Sequence, residues 1–338
     1  MKNLNLSTPK KDFSKRLLCI IIAFSIAAFI GIPVASAKTE GPWVFNIAEG
    51  KAYITEYKAS IQGHLDIPET LGGAQVVSIG YDLFMGCHDL TSVTIPQSVT
   101  TLVAGAFQNT SLTSVTISKN VTRIDSRVFS DCPSLTTITV EKDNPNYTSA
   151  DGVLFTKDLT ELKQYPSGKI DTIYKVPEGV KTLHYSSFSS NPYLHEVVIS
   201  DTVTTIEELT FVSCVSFTDI TIPPSVTNIK NLAMGGTYID YDWVRTPAFA
   251  VHGYVGTYAE NYALAEKFEF VILNSKGDNN HDDMVNAKDA LIALQLSVNK
   301  IESTPGYIQV TDVNRDTFVN AKDALEILKK AVGKPACF

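Results

Sequence analysis

The stretch SVTIPQSVTTLVAGAFQNTSL, residues 92–112, contains the pattern that decides the fold. Its first half alternates branched apolar residues with serine and threonine, as in a β-strand with one buried face, and a proline then ends the strand. Its second half brings another short apolar pair, then a phenylalanine, and five residues later a leucine. One such unit cannot bury its apolar edge alone, so the pattern predicts a protein in which several units stack.

The unit recurs along the chain at a nearly constant interval. Branched residues of the first strand mark its successive copies: Ile67, Ile95, Ile117, Val140, Val176, Ile199 and Ile222. A fixed apolar pattern with a period of about 20 to 30 residues is typical of leucine-rich-repeat solenoids. We therefore predict a mostly β solenoid with short helical turns and two caps over residues 38–273.

The interval from Val140 to Val176 is longer than the others and contains an insertion. Residues 153–156 and 161–165 alternate as strands do around Lys157 and Asp158, which predicts a β-hairpin insertion at about residues 147–168. We expect this hairpin to project from the solenoid. It either carries function, as projecting loops on rigid scaffolds often do, or is a structural decoration.

Three cysteines of the solenoid are predicted to be buried thiols. Cys87, Cys132 and Cys214 each follow a repeat phenylalanine by three residues. Equivalent positions of a solenoid stack on one another, so the thiols should form one column, with Thr110 and Asn191 in the other coils. Such a column favours small buried side chains over a disulfide framework.

The heptapeptide VNAKDAL occurs at residues 285–291 and again at residues 319–325, each time after a loop rich in Asp and Asn. Calcium takes about six to eight oxygen ligands, and a twelve-residue loop supplies them from positions 1, 3, 5, 7, 9 and 12, with position 7 using its backbone carbonyl. The predicted ligands are Asp278, Asn280, Asp282, Met284, Asn286 and Asp289 in the first loop, and Asp312, Asn314, Asp316, Phe318, Asn320 and Asp323 in the second. The two loops in register predict two structural Ca²⁺ ions.

These loop–helix repeats resemble a type I dockerin, the calcium-binding module that attaches a protein to a cohesin domain of a scaffoldin. An EF-hand has a helix before each loop, whereas here a strand-like segment precedes the first loop, and Pro305 and Gly306 disfavour a helix before the second. The module, residues 274–335, is therefore expected to be small and all-α, with a helix only after each loop. Asp283 and Thr317 replace the glycine usual at loop position 6, which predicts weaker calcium binding at one site.

The resemblance also implies where cohesin binds. Loop positions 10 and 11 of dockerins contribute to cohesin choice, and here they are Ala287 and Lys288 in the first half and Ala321 and Lys322 in the second. Identical pairs imply binding in two orientations related by a half-turn. The alternative is that these residues merely begin a good helix. The pairs differ from the Ser-Thr pair of well-known clostridial dockerins, so the resemblance leaves the particular cohesin open.

The repeats, the hairpin YTSADGVLFTKD and the later segment GYVGTYAENYA together resemble BspA-type leucine-rich repeat proteins. That family consists mostly of secreted or surface proteins that bind proteins or cell surfaces, which implies an unknown protein or cell-surface ligand for the solenoid. Two outward columns offer a surface: Thr94, Thr116, Thr139, Val198 and Thr221, beside Ser92, Ser114, Thr137, Glu196 and Asp219. The alternative is that threonine simply suits an exposed strand.

The first 37 residues are predicted to be a secretory signal, with basic residues, an apolar run at residues 17–30 and an Ala-Ser-Ala cleavage site. The run is too short for a membrane span, and no span is expected after cleavage. The signal carries five basic residues and one acidic residue, so its removal changes the formal net charge from −8 to −12. That charge argues against nucleic acid or an anionic membrane as a partner. We expect an extracellular protein held in a cellulosome or at a cell surface through cohesin.

No catalytic residue is predicted. The six histidines are in no metal-binding spacing, and no G-x-S-x-G motif is present. Glu196 and Asp219 are interpreted as part of a solvated face and not as the paired carboxylates of a glycoside hydrolase. The sequence therefore favours a non-catalytic component of a cellulosome-type complex. Two alternatives stay open: a polysaccharide-degrading subunit, and an adhesin that binds another cell or a host protein.

Overall fold

The structure, a computed structural model, describes residues 36–239, 242–273, 277–280, 284–301, 310–314 and 318–336. Nearly all of the predicted secretory signal lies outside these residues. The described strands are β1 (Lys38–Glu40), β2 (Trp43–Ala48), β3 (Lys51–Tyr57), β4 (Gly63–Asp66), β5 (Thr70–Leu71), β6 (Ala74–Ile79), β7 (Leu90–Thr94), β8 (Thr101–Leu102), β9 (Ser114–Ile117), β10 (Arg123–Ile124), β11 (Thr137–Val140), β12 (Tyr147–Ala150), β13 (Val153–Thr156), β14 (Glu161–Gln164), β15 (Ile173–Lys175), β16 (Thr182–Leu183), β17 (Glu196–Val198), β18 (Thr205–Ile206), β19 (Asp219–Thr221), β20 (Asn228–Ile229), β21 (Gly236–Ile239), β22 (Asp242–Arg245), β23 (Ala250–Gly253) and β24 (Glu269–Ile272). The described helices are α1 (Tyr258–Glu266), α2 (Ala287–Ser297) and α3 (Ala321–Ala331).

The repeating units form a β solenoid, as predicted. On one face of the coils, β3, β6, β8 and β10 make one parallel ladder, and β14, β16, β18 and β20 make a second. On another face, β4 pairs with β7, β9 with β11, β15 with β17, and β19 with β23, all in parallel. Each short strand pairs with the equivalent strand of the next coil, so apolar residues such as Leu183, Ile206 and Ile229 align and are buried together.

Stacked aromatic rings run through the core at the phenylalanine position of the repeat. In chain order they belong to Phe84, Phe107, Phe129, Tyr165, Phe188 and Phe211. Within the first three and within the last three, neighbouring ring centroids lie 4.9 to 5.8 Å apart. All six rings are fully buried, and burial of each such side chain contributes about 1.5–3 kcal/mol.

The insertion forms an antiparallel β12–β13–β14 unit, and β14 then joins the parallel ladder through β16. The two predicted strands are present as β13 and β14, whereas β12 was not predicted. The expectation that the hairpin projects is wrong, because Leu154, Phe155 and Leu162 are buried in the solenoid core.

Tyr165 explains why the hairpin is part of the stack. Its backbone amide donates to the carbonyl of Ser187 at 2.7 Å, and the amide of Phe188 makes the same bond to Thr210 one coil later, at 2.9 Å. Tyr165 thus takes the ring position that a phenylalanine has in the other coils. Its hydroxyl reaches Asp171 Oδ2 at 3.0 Å, which satisfies the polar end of the ring.

The core is divided into two clusters, and β13 lies between them. Leu154 packs in the N-terminal cluster, whereas Val153 and Phe155 pack in the C-terminal cluster. Successive side chains of a strand point to opposite faces. Strand β13 therefore contributes buried side chains to both clusters.

The prediction of buried thiols is confirmed for Cys132 and Cys214 and is wrong for Cys87, which is half-buried; all three thiols are free. Cys132 Sγ lies 3.4 Å from Thr110 Oγ1, and both groups donate to the carbonyl of Phe107. Burial raises the pKa of the Cys214 thiol to about 12. Cys132 and Cys214 thus fill space and donate to carbonyls inside the coil turns.

The C-terminal helices α2 and α3 share a small core of Ala290, Ala293, Val313, Ala324 and Ile327. The expectation of a helix only after each loop is wrong at two described residues. Val310 and Thr311, directly before the second loop, have helical backbone. They lie beyond Pro305 and Gly306, the two residues on which the expectation was based.

Candidate calcium and partner-docking site

The carboxylate of Asp289 closes the first loop. Its Oδ1 accepts hydrogen bonds from the backbone amides of Asn279 and Asn280 at 2.7 and 2.9 Å. Its Oδ2 accepts one from the amide of Asn286 at 2.8 Å. Asp289 and Asp278 are both fully buried. The first and last positions of the predicted loop are thus brought into one small buried region.

The second loop is built in the same way around Asp323. Its Oδ1 accepts from the amide of Asn314 at 3.3 Å, and its Oδ2 accepts from the amide of Asn320 at 2.9 Å. Asp323 is fully buried, whereas Asp312 and Asn314 are half-buried. The repeated heptapeptide of the sequence is therefore also a repeat in the structure.

An asparagine at loop position 9 begins each helix. Asn286 Oδ1 accepts from the amide of Lys288 at 2.9 Å, and its Nδ2 donates to the carbonyl of Met284 at 3.3 Å. Asn320 makes the equivalent bonds in the second half, at 2.8 and 3.1 Å. With the aspartate three residues later, each forms a capping box, a feature that stabilises a helix start by about 1 kcal/mol.

The described part of each loop fits a hard cation. The predicted ligands offer carboxylate, amide and main-chain carbonyl oxygens, which are the donors that Ca²⁺ prefers. Met284 and Phe318 have exposed side chains, in keeping with the use of their carbonyls alone. Burial of carboxylates such as Asp278 and Asp289 is costly unless positive charge or hydrogen bonds compensate it, and a divalent cation would supply that charge.

Part of the predicted site lies outside the described residues. Asp282 and Asp316, the predicted ligands at position 5, are among these, as are Asp283 and Thr317 at position 6. Within the described ranges, no group of three or more His, Cys, Asp or Glu side chains could hold a metal ion. Each loop contributes two of its three predicted carboxylates there, so its full ligand set stays a prediction.

The residues predicted to contact cohesin lie on the surface. Ala287 and Lys288 are exposed on the first turn of α2, and Ala321 and Lys322 are exposed on the first turn of α3. Their backbones are fixed by the two capping boxes. The two pairs therefore present the same chemistry at equivalent places, and their role in binding stays a prediction.

Sequence reasoning missed an apolar groove between α2 and α3. The groove has a volume of about 280 Å³ and is lined by Ala287, Ala290, Leu291, Leu294, Ala324, Leu325 and Leu328. Its four leucines are 41 to 56% exposed, and a contiguous exposed apolar patch marks an interaction surface. The signal was present in the sequence, since Leu291 and Leu325 end the two heptapeptides and the other two leucines follow at the same offset.

The outward strand face of the solenoid is placed as predicted. Thr94, Thr116, Thr139 and Thr221 are exposed between buried neighbours or half-buried ones. The face is polar and open. Near its C-terminal end, Asp219 Oδ1 lies 3.9 Å from Nε2 of His252 on the next strand.

A serine, a histidine and an aspartate form a hydrogen-bonded chain on this face, which sequence reasoning did not find. His64 Nδ1 lies 2.8 Å from Ser92 Oγ, and His64 Nε2 lies 3.0 Å from Asp66 Oδ1. Hydrogen bonds from His64 and Thr94 lower the pKa of Asp66. The histidine and aspartate side chains are 49 and 76% exposed. Hydrolysis at a Ser–His–Asp group also depends on oxyanion donors in a site that excludes water, and this group is exposed. We therefore interpret these hydrogen bonds as a structural link between strands β4 and β7.

The architecture defines a stacked β solenoid of short repeats followed by a loop–helix pair with surface-exposed helix starts. In sequence, the BspA type leucine rich repeat region matches in six copies, over residues 64–174 and 146–240, and the dockerin type I domain matches residues 276–332. The chain belongs to the BspA-type leucine-rich repeat family and carries a type I dockerin domain. All three matched ranges fall within the predicted domains 38–273 and 274–335, whose boundaries stay predictions.

Solved structures similar to this chain include bacterial leucine-rich repeat proteins. A leucine rich cell surface protein from Faecalibacterium prausnitzii is 20% identical, with a TM-score of 0.42, over 72% of this chain and 96% of that chain. A leucine-rich repeat protein from Eubacterium ventriosum is 20% identical, with a TM-score of 0.39, over 64 and 71%. The pneumococcal vaccine antigen PcpA is 16% identical, with a TM-score of 0.31, over 72 and 100%. No curated protein sequence matches the chain.

Across the described residues, no helix is both long enough and apolar enough to span a membrane. Both matched domain types are non-catalytic. A dockerin implies a cohesin as partner, and a leucine-rich repeat solenoid suggests a protein ligand.

Proposed function

We propose that this protein is a non-catalytic, secreted component of a cellulosome-type complex, which its dockerin attaches to a scaffoldin cohesin in a calcium-dependent way. The observation that carries the proposal is the symmetric surface of the C-terminal module. Two equivalent exposed Ala-Lys pairs lie at the starts of α2 and α3, and an apolar groove with four exposed leucines lies between these helices.

Calcium would act here through the loops. The predicted ligands of each loop would hold one ion, whose charge would compensate the buried carboxylates of that loop. In the first loop, Asp289 already gathers the amides of Asn279, Asn280 and Asn286. A loop fixed in this way fixes the start of the helix that follows. Calcium dependence of cohesin binding therefore has a direct structural route, from the loop to the exposed pair on the helix.

The internal repeat supports binding in two orientations. Ala287 and Lys288 match Ala321 and Lys322, and Leu291 and Leu294 match Leu325 and Leu328. A half-turn that exchanges α2 and α3 would present nearly the same surface to cohesin. We therefore expect a change in one half to be tolerated and the same change in both halves to abolish binding.

The solenoid would bind the ligand that the complex is to hold. Its outward strand face is polar, regular and open, which suits recognition of a protein or a cell surface. In this arrangement the solenoid binds the ligand, and the dockerin determines where the protein is attached. Secretion, implied by the predicted signal at residues 1–37, belongs to the same proposal.

The test is calorimetry of the mature protein against a panel of cohesins, with calcium and with chelator. We expect at least one cohesin to bind with calcium and not with chelator. Absence of binding to every cohesin, or binding that survives chelation, would refute the proposal.

A matched pair of variants locates the surface. Leu291→Asp combined with Leu325→Asp places charge in the groove and should abolish binding. Leu264→Asp is the control, because Leu264 is 49% exposed on helix α1 and is not one of the groove-lining residues. Equal loss in the control would mean that the groove is not the docking surface.

The polysaccharide-degrading alternative is separated by a different measurement. The mature protein is incubated with plant polysaccharides, and reducing ends are measured. We expect no turnover. Turnover that a single acidic-residue substitution abolishes would replace the non-catalytic assignment with an enzymatic one.

A further inference from the structure

A buried side-chain hydrogen bond connects the two loops of the dockerin. Thr311 Oγ1 donates to Asn279 Oδ1 at 2.7 Å, and both residues are at most 1% exposed. Thr311 directly precedes Asp312, the first predicted ligand of the second loop, and Asn279 directly follows Asp278, the first predicted ligand of the first loop. We call this contact the inter-loop bridge. It joins the two predicted sites next to the first ligand of each.

The bridge continues into the last ligand of the first loop. Asn279 Nδ2 donates to the backbone carbonyl of Asp289 at 3.2 Å, and its backbone amide donates to Asp289 Oδ1 at 2.7 Å. A second contact runs beside it, from the amide of Gly277 to the carbonyl of Val310 at 3.1 Å. A displacement of Thr311 would therefore reach Asp289 through two bonds of one buried residue.

The inter-loop bridge has no symmetric counterpart, because the equivalent residues of the two halves differ. The residue equivalent to Asn279 in the second loop is Val313, which packs in the small core, and the residue equivalent to Thr311 in the first half is Gly277. The reverse contact therefore has neither a donor nor an acceptor side chain. A buried amide costs free energy unless it is hydrogen-bonded, so Asn279 at this position requires its partners.

We propose that the inter-loop bridge couples the two calcium loops, so that an ion in one loop raises the affinity of the other; this rests on the proposed calcium role of the dockerin. An ion in the second loop would fix Asp312 and with it the neighbouring Thr311. The ordered hydroxyl then holds Asn279 and, through it, Asp289. The ordering needed by the first loop is thus partly complete before its own ion binds. By linkage, the first loop aids the second by the same factor.

The test measures the two stepwise calcium affinities of the full mature chain by calorimetry. In the wild-type protein we expect the second step to be tighter than the first, after correction for statistics. Thr311→Val keeps the shape and removes the hydroxyl, and it should reduce the ratio of the two affinities about fivefold, the factor that one buried hydrogen bond supplies. Thr311→Ser keeps the donor and should restore the wild-type ratio. That rescue would not be expected if Thr311 served only to fill space.

A second variant guards against loss of folding. Asn279→Val combined with Thr311→Val replaces both partners with apolar groups, a change that is often close to neutral for stability. This double variant should keep its helical circular dichroism and bind two ions with uncoupled affinities. Two bound ions with the wild-type ratio in both valine variants would overturn the inference and leave the proposed function intact. A wild-type protein that binds no calcium would overturn both.

Discussion

Acidification to about pH 4.5 is expected to destabilise the solenoid through His184. This side chain lines the wall of a small cavity with Lys163 and Gln164, where the insertion meets the preceding coil. Burial, together with the nearby Lys163 ammonium, lowers the pKa of His184 from 6.5 to about 4. Between these two values the unfolded chain binds a proton that the folded chain does not. The stability associated with neutral His184 is therefore present above pH 6.5 and is lost as the pH falls toward 4.

The magnitude follows from the two pKa values. At about pH 4.5 the unfolded imidazole is almost fully protonated and the folded one mostly neutral, which corresponds to a loss of about 2.5 kcal/mol relative to neutral pH. For a domain of this size the melting temperature should fall by about 5 to 10 °C from this group alone. Carboxylates also titrate in this range, so the effect of His184 has to be isolated by substitution.

The assay is denaturant unfolding at about pH 7.5 and about pH 4.5, for the wild type and two variants. His184→Asn should reduce the pH-dependent loss by about 2.5 kcal/mol. His195→Asn, at an exposed position, is the matched control and should keep the wild-type loss. If His184→Asn loses as much stability on acidification as the wild type, the reasoning about the half-buried imidazole is refuted.

Three further predictions concern the core, the thiols and the loops. Phe188→Ala should lower the free energy of unfolding by about 3–5 kcal/mol, because the ring is fully buried between two others; a loss below about 1 kcal/mol in a denaturant titration would contradict the stacked core. Cys132 and Cys214 should resist iodoacetamide in the folded protein and react in denaturant, since burial raises their thiol pKa values; mass spectrometry showing rapid labelling of folded protein would contradict this. Chelation of calcium should lower the melting temperature of the dockerin, where Asp289 and Asp323 are buried, and leave the solenoid transition in place; scanning calorimetry in which the solenoid transition moves instead would show that calcium acts elsewhere.

The solenoid could be predicted from the sequence because its features are local. Alternation fixes which side of a strand is buried, and the regular spacing of the repeat fixes which positions stack. The placement of the insertion could not be predicted in this way. A hairpin that projects and one that joins the stack have the same alternating sequence. Whether Tyr165 occupies the ring position depends on the coil beside it, which is tertiary information.

In the candidate site, too, local features could be predicted from the sequence, whereas tertiary contacts could not. Asn286 and Asp289 are three residues apart, so their capping box could be expected from the sequence pattern alone. The groove joins Leu291 to Leu325 only because α2 packs against α3. The inter-loop bridge joins residues 32 positions apart. Contacts of this kind depend on how the two halves pack, and the repeated heptapeptide does not reveal where the halves differ.

The position of β13 between the two core clusters has a mechanical consequence. On one face of the solenoid, main-chain pairing stops at β10, and the contacts from there to the insertion include two side-chain hydrogen bonds. The amide of Ile124 donates to the hydroxyl of Tyr147 at 2.9 Å, and Asn146 Nδ2 donates to the carbonyl of Thr122 at 3.0 Å. Side-chain bonds of this kind resist shear less well than a ladder of paired strands. If the dockerin is attached and the solenoid binds a ligand that moves, tension acts along the coils. That tension is expected to separate β10 from the insertion first. The two halves of the solenoid would then extend in separate force steps, and the coils farther from the dockerin would unfold while the dockerin stays attached.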